Sequence, residues 1–213
     1  MPVMDPVWQD IVSFLTLFTL AIFSPGPNFI LVVNRSLQKG RSAGVWTALG
    51  VAIGSATYGL CGLLGWIVLL DSLAHFGFVI RLIGGGFLIV LGGQMLVKFI
   101  RRQQQPCLAS PAQHTTGRPL TMVLTGLATN LSNPKAWAFY LSLFTVVLTP
   151  GMPLGAKVGL NLAMFCISFG WYTLVAVLIS IRKIQPMFLT LQMIIQGLLG
   201  GLLIWLGLQL LWS

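Results

Sequence analysis

Six apolar stretches, each long enough to cross a bilayer, occupy most of this chain and leave little of it for a water-facing surface. They run over Val7–Val33, Val45–Leu70, Phe78–Ile100, Leu120–Leu148, Leu154–Ile181 and Met187–Trp212. A helical span needs about 20 such residues. Only 7% of the 213 residues are charged, against roughly 25% in a soluble domain. The reading is an all-α integral membrane protein of six transmembrane helices embedded in a lipid bilayer. In a five-span alternative, the interrupted first stretch fails to cross.

The charges that remain are informative. The net charge is +9, but the basic residues form short clusters between apolar runs rather than a basic face. This speaks for membrane orientation and against nucleic-acid binding. Arg35, Lys39, Arg41, Lys98, Arg101, Arg102, Arg118, Arg182 and Lys183 fall on one side, and only Arg81 and Lys157 on the other. By the positive-inside rule the basic connections are cytoplasmic and both termini periplasmic. The N-terminus carries Asp5 and Asp10 and has no Lys or Arg before the first apolar run. That is the reverse of a signal peptide, so the run is expected to be a retained span.

The chain reads as two halves, 1–100 and 120–213, joined by a polar cytoplasmic linker over 101–119 that is rich in Gln, Ser, Thr, Arg and Pro. The last span of each half repeats. Gly85-Gly86-Phe87-Leu88-Ile89-Val90-Leu91-Gly92-Gly93-Gln94 aligns with Gly200-Gly201-Leu202-Leu203-Ile204-Trp205-Leu206-Gly207-Leu208-Gln209. Three spans per half is an odd number, so a second copy must insert upside down, giving two inverted three-helix repeats.

Spans one and four are each broken by proline. Ser24-Pro25-Gly26-Pro27-Asn28 interrupts the first and Asn130-Leu131-Ser132-Asn133-Pro134-Lys135 the fourth. Proline removes a backbone donor and clashes with the preceding turn. In hydrocarbon such a break is tolerated only where protein covers it or a cavity adjoins it. Ser or Asn followed by Pro suits a helix restart, and helix N-termini attract anions. Lys135 adds a full positive charge at a depth where a lysine costs about 2.5–3.5 kcal/mol on insertion scales, and the sequence offers it no obvious protein partner. The two restarts with Lys135 suggest a carboxylate site. The ammonium group of an amino-acid substrate would be held by backbone carbonyls or by Asn28, Asn130 and Asn133. The alternative for Lys135 is snorkelling to an interface or bonding exposed carbonyls of the broken helix.

Other residue types exclude more than they suggest. Cys61, Cys107 and Cys166 make no metal spacing, and His75 and His114 are isolated. No metal or other cofactor is expected, and no catalytic residues. Cys61 and Cys166 are expected to be small core residues. Gly50 and Gly54 form a GxxxG pattern that suits helix packing. Trp8, Trp66 and Trp212 suit interface anchoring. Trp137, Tyr140, Trp171 and Tyr172 lie deeper, either packed or lining a cavity.

Ser-Pro-Gly-Pro-Asn at 24–28 and Asn-Pro-Lys at 133–135 resemble the two signatures of the LysE/RhtB family of amino-acid exporters, and the likeness covers nearly the whole chain. It implies a bacterial inner-membrane secondary transporter that expels amino acids or related metabolites, driven by the proton motive force. Export direction comes from the resemblance alone. Neutral amino acids are favoured, because Asp5, Asp10 and Asp71 are the only acids and all lie peripherally. Two other readings compete: a membrane redox carrier, which would need cysteines at the breaks, and an assembly factor. Homo-oligomerisation is left open, since no sequence patch argues for it.

Overall fold

The computed structural model describes residues 6–73, 77–101, 118–133, 135–137, 139–140, 143, 152–181 and 185–212. Regular structure among them is entirely α-helical: α1 (Pro6–Phe23), α2 (Pro27–Lys39), α3 (Arg41–Leu73), α4 (Gly77–Ile100), α5 (Pro119–Leu131), α6 (Leu154–Ile179) and α7 (Gln185–Trp212). Residues 135–137, 139–140 and 143 are also helical. Pro134, His75, Cys107, His114 and residues 102–117 of the expected linker lie outside the described residues.

Proline and glycine set several boundaries. Pro6, Pro27 and Pro119 each open a helix, where a missing N–H leaves no bond unmade. Gly40 separates α2 from α3 at φ 85°, a conformation a side chain resists. Among the described residues, Arg41–Gly62 within α3 and all of α6 are each long and apolar enough to cross a membrane. The pair α1 and α2 reaches that length only together, and the two helices bend by 53° at the break between them.

Packing follows the small residues. α4 and α7 run antiparallel with their backbones in close approach. A Cβ at Gly92 would stand 2.5 Å from the Gly200 carbonyl oxygen, and one at Gly200 would stand 2.9 Å from that of Gly92. Gly85 and Gly207 meet in the same reciprocal way, at 2.9 and 2.7 Å. The second glycine of each pair behaves differently: Gly86, Gly93 and Gly201 have no atom within 4 Å of a Cβ position. Around α3, a side chain on Gly50 would overlap the Val123 carbonyl of α5, and one on Gly54 would stand 2.8 Å from Asn130 Cβ. The GxxxG pattern therefore brings α5 onto α3.

The molecule turns apolar side chains outward. Leu162, Val90 and Leu198 are strongly exposed, while Ser24, Asn28, Ser55, Asn130, Asn133 and Ser168 are buried. Cys61 and Cys166 are exposed too, which corrects the expectation that they sit in the core. Lipid is as apolar as the side chain itself, so nothing drives a small apolar residue inward. Trp8 and Trp212 are exposed, as is Trp137, whereas Trp171 stacks on Phe23 with ring centroids 4.0 Å apart.

Candidate functional site

The two proline-bearing breaks end on one cavity. α1 stops at Phe23, with the Ser24 amide bonded to the Ala21 carbonyl at 3.2 Å. Pro25 and Pro27 carry no N–H and cannot continue the helical ladder. Gly26, extended at φ −161°, is the N-cap of α2, Pro27 its first residue and Asn28 its second.

The other break repeats this layout with different chemistry. α5 stops at Leu131. Asn133 starts the next helical turn, its carbonyl accepting the Trp137 amide at 3.0 Å, while its side-chain Oδ1 accepts the Lys135 amide at 3.0 Å. This is an asparagine N-cap. Lys135 thus stands two residues past its cap, as Asn28 stands two past Gly26. The end of α5 is reached from α3: Tyr58 Oη donates to Leu131 O at 2.8 Å and lies 3.3 Å from Asn130 O, which also accepts the Asn133 amide at 3.1 Å. Tyr58→Phe is expected to lower stability by about 1 kcal/mol, the net worth of one hydrogen bond. Thermal unfolding of the purified protein in detergent measures it, and an unchanged midpoint would show that those carbonyls need no tyrosine.

The two restarts touch through Lys135. Its Nζ donates to Ser24 Oγ at 2.6 Å and approaches the Pro25 carbonyl at 3.5 Å. A Cβ at Gly26 would stand 3.5 Å from Lys135 Cδ and 3.6 Å from Nζ, so glycine keeps the space beside the ammonium open. The sequence left Lys135 without a protein partner; the structure supplies neutral oxygens from the other break. Ser24 Oγ in turn lies 3.4 Å from Met95 Sδ on α4.

A second set of polar contacts runs deeper. Asn28 Nδ2 donates to Asn130 Oδ1 at 3.1 Å. Asn130 Nδ2 donates to the Val51 carbonyl at 2.6 Å and to Ser55 Oγ at 3.1 Å. Ser55 and Ser168 hydroxyls are 3.1 Å apart. Asn28 Oδ1 is buried without a hydrogen bond.

Between these groups lies a cavity of about 50 Å³. Ser24, Gly26, Asn28, Asn130, Asn133 and Lys135 line it, with Ala21, Ile22, Ala136 and Phe139 as apolar wall and Ser55, Tyr140 and Tyr172 completing it. Six of the nine candidate site residues therefore converge, and Tyr140 and Tyr172 of the deeper aromatics join them. Pro25 contributes a carbonyl, and Pro27 is exposed at the start of α2. Ser55 was not anticipated: it carries no motif of its own beyond following Gly54, where α3 meets Asn130. Among the described residues no three His, Cys, Asp or Glu side chains gather to hold a metal.

A LysE type translocator family model matches residues 19–213. The chain belongs to the LysE translocator family. The uncharacterised membrane protein YahN of Escherichia coli is 30% identical over 94% of this chain and 87% of its own. The threonine efflux protein of Salmonella typhi is 28% identical over 91% of this chain and 93% of its own. The leucine efflux protein of Klebsiella pneumoniae is 32% identical over 67% of this chain and 68% of its own. No solved structure matches the chain. Family membership and the apolar helices together make it a multi-pass membrane protein of a transporter family, and both breaks fall within the matched residues.

Proposed function

We propose that this translocator exports amino acids, neutral ones in the first place, and that the cavity between the two helix restarts is where the substrate binds. The observation that carries the reading is Lys135. Its ammonium lies beside the start of α2, on the edge of a half-open cavity, held by a hydroxyl and a carbonyl that a carboxylate outcompetes as acceptors. The substrate carboxylate takes their place at Nζ, aided by the positive end of the α2 dipole. The site residues on this reading are Ser24, Pro25, Gly26, Pro27, Asn28, Asn130, Asn133, Pro134 and Lys135. Neutral side chains are favoured because the described residues lining the cavity include no Asp or Glu to pair with a second cation. The threonine and leucine efflux relatives support the substrate class.

The architecture on this reading is six spans in two inverted repeats, 1–100 and 120–213, joined through 101–119. The reciprocal meetings of Gly85 with Gly207 and Gly92 with Gly200 support it. In the repeat alignment Gly85 corresponds to Gly200 and Gly92 to Gly207, so each contact is the other's image under a two-fold rotation. The matched layout of the two restarts supports it as well. The basic-residue bias favours cytoplasmic connections and periplasmic termini in a bacterial inner membrane. Drive by the proton motive force follows from the family likeness. The redox-carrier alternative finds no support at the breaks: Ser24, Gly26 and Asn133 stand there, and Cys61 and Cys166 face outward.

The test is an efflux assay in a bacterial strain lacking its own exporters, fed dipeptides to raise internal amino acids. Expression of this chain is expected to speed the appearance of at least one neutral amino acid in the medium several-fold. Identical external accumulation with and without it, across the common amino acids, overturns the proposal.

A further inference from the structure

We infer that Asn28 is the acceptor for the substrate's ammonium group, and that Asn130 is the positioning residue that aims it. This rests on the amino-acid reading above and narrows it. Three asparagines reach the cavity, and two have their oxygens committed: Asn133 Oδ1 caps the Lys135 amide, and Asn130 Oδ1 accepts from Asn28 Nδ2. The third does not. Asn28 is 8% exposed, lines the cavity, and leaves Oδ1 without a hydrogen bond. Tyr172 also lines the cavity and interacts with the Asn28 side chain, yet Oδ1 has no hydrogen-bond partner.

The orientation of Asn28 is dictated from α3. A backbone carbonyl can only accept, so the Val51 oxygen, 2.6 Å away, requires the NH₂ end of Asn130. That turns Asn130 Oδ1 toward Asn28, which must answer with its own NH₂. Asn28 Oδ1 is then left for the cavity. A buried acceptor with no donor carries a desolvation penalty of the full group, which a ligand donor relieves. Lys135 presents N–H donors and Asn28 presents an oxygen, so the cavity has one pole for an anion and one for a cation. The ligand it fits is a zwitterion, and a carboxylate lacking the amine leaves Asn28 Oδ1 unpaired.

The measurement is competition against labelled L-leucine bound to the purified full chain. Unlabelled L-leucine is compared with 4-methylpentanoate, the same skeleton without its amino group. The unaltered protein is expected to prefer L-leucine by about 10- to 100-fold, the range of one charge-assisted hydrogen bond. Asn28→Ala is expected to bring the two within about threefold of each other by the same accounting. Asn28→Gln, which keeps both the acceptor and the NH₂ that Asn130 Oδ1 requires, retains part of the preference, and Asn130→Ala lowers it by releasing Asn28 to turn. If the unaltered protein binds both compounds equally, the inference fails while export of amino acids stands, and it fails in the same way if Asn28→Ala keeps the full preference. If neither L-leucine nor any other common amino acid binds, the exporter reading falls first and takes this one with it.

Discussion

Replacement of Lys135 by alanine is expected to cut export by about 10- to 100-fold or more, while the protein still inserts and purifies in normal yield. The size follows from one charge-assisted hydrogen bond to the substrate, about 1.5–3 kcal/mol. The two halves of the expectation have opposite physical signs. Removing the side chain deletes the bonds to Ser24 Oγ and the Pro25 carbonyl, a small loss. On the six-span reading it also removes a charge that costs about 2.5–3.5 kcal/mol to hold at mid-membrane depth. Insertion should be unharmed or improved, so a fall in export reports binding rather than folding. The checks are efflux rate and the amount of folded protein on the same samples. Parental efflux in the alanine variant sinks the site assignment. Loss of folded protein would assign Lys135 to holding the two breaks together.

Gly92→Leu is expected to destabilise the helical scaffold strongly, and Gly93→Leu to be close to neutral. A Cβ at Gly92 meets the Gly200 carbonyl oxygen and, at 3.0 Å, the Ile204 amide nitrogen. Both are backbone atoms of α7 and neither can rotate aside, so the helices must part. Overpacking typically costs 1–3 kcal/mol, and separation of a backbone seam belongs at about 3 kcal/mol or beyond. Gly93 has nothing within 4 Å, and a leucine there meets only lipid, an effect within about 0.5 kcal/mol. Thermal unfolding in detergent compares the two directly. Equal midpoints would mean that α4 and α7 do not pack through these glycines.

The same glycines show how much of the molecule was legible beforehand. The paired Gly-Gly steps of α4 and α7 were readable as a repeat, because a repeat is a property of the string. Which glycine of each pair faces the partner helix was not, since that depends on the crossing geometry. The breaks at 24–28 and 130–135 were readable because proline and N-capping residues act locally. The bond from Lys135 to Ser24 was not, since 111 residues separate them. Ser55 and the Val51 carbonyl carry no chemical signature, and only the approach of α5 to α3 at Gly54 turns them toward Asn130. Cys61 and Cys166 were placed inside by a rule made for water, and in lipid that rule has no force.

Asn28 and Lys135 stand at the same step of their respective helices, each the second residue after a turn, and they are chemical opposites. A scaffold with matched halves offers equal seats, and unlike occupants give the space between them a direction. A zwitterion lying there has a head and a foot. On the export reading it is handed from one face of the membrane to the other without turning round, between poles that stay where they are. Two fixed poles and an apolar wall also make three points of contact, the fewest that can tell a molecule from its mirror image.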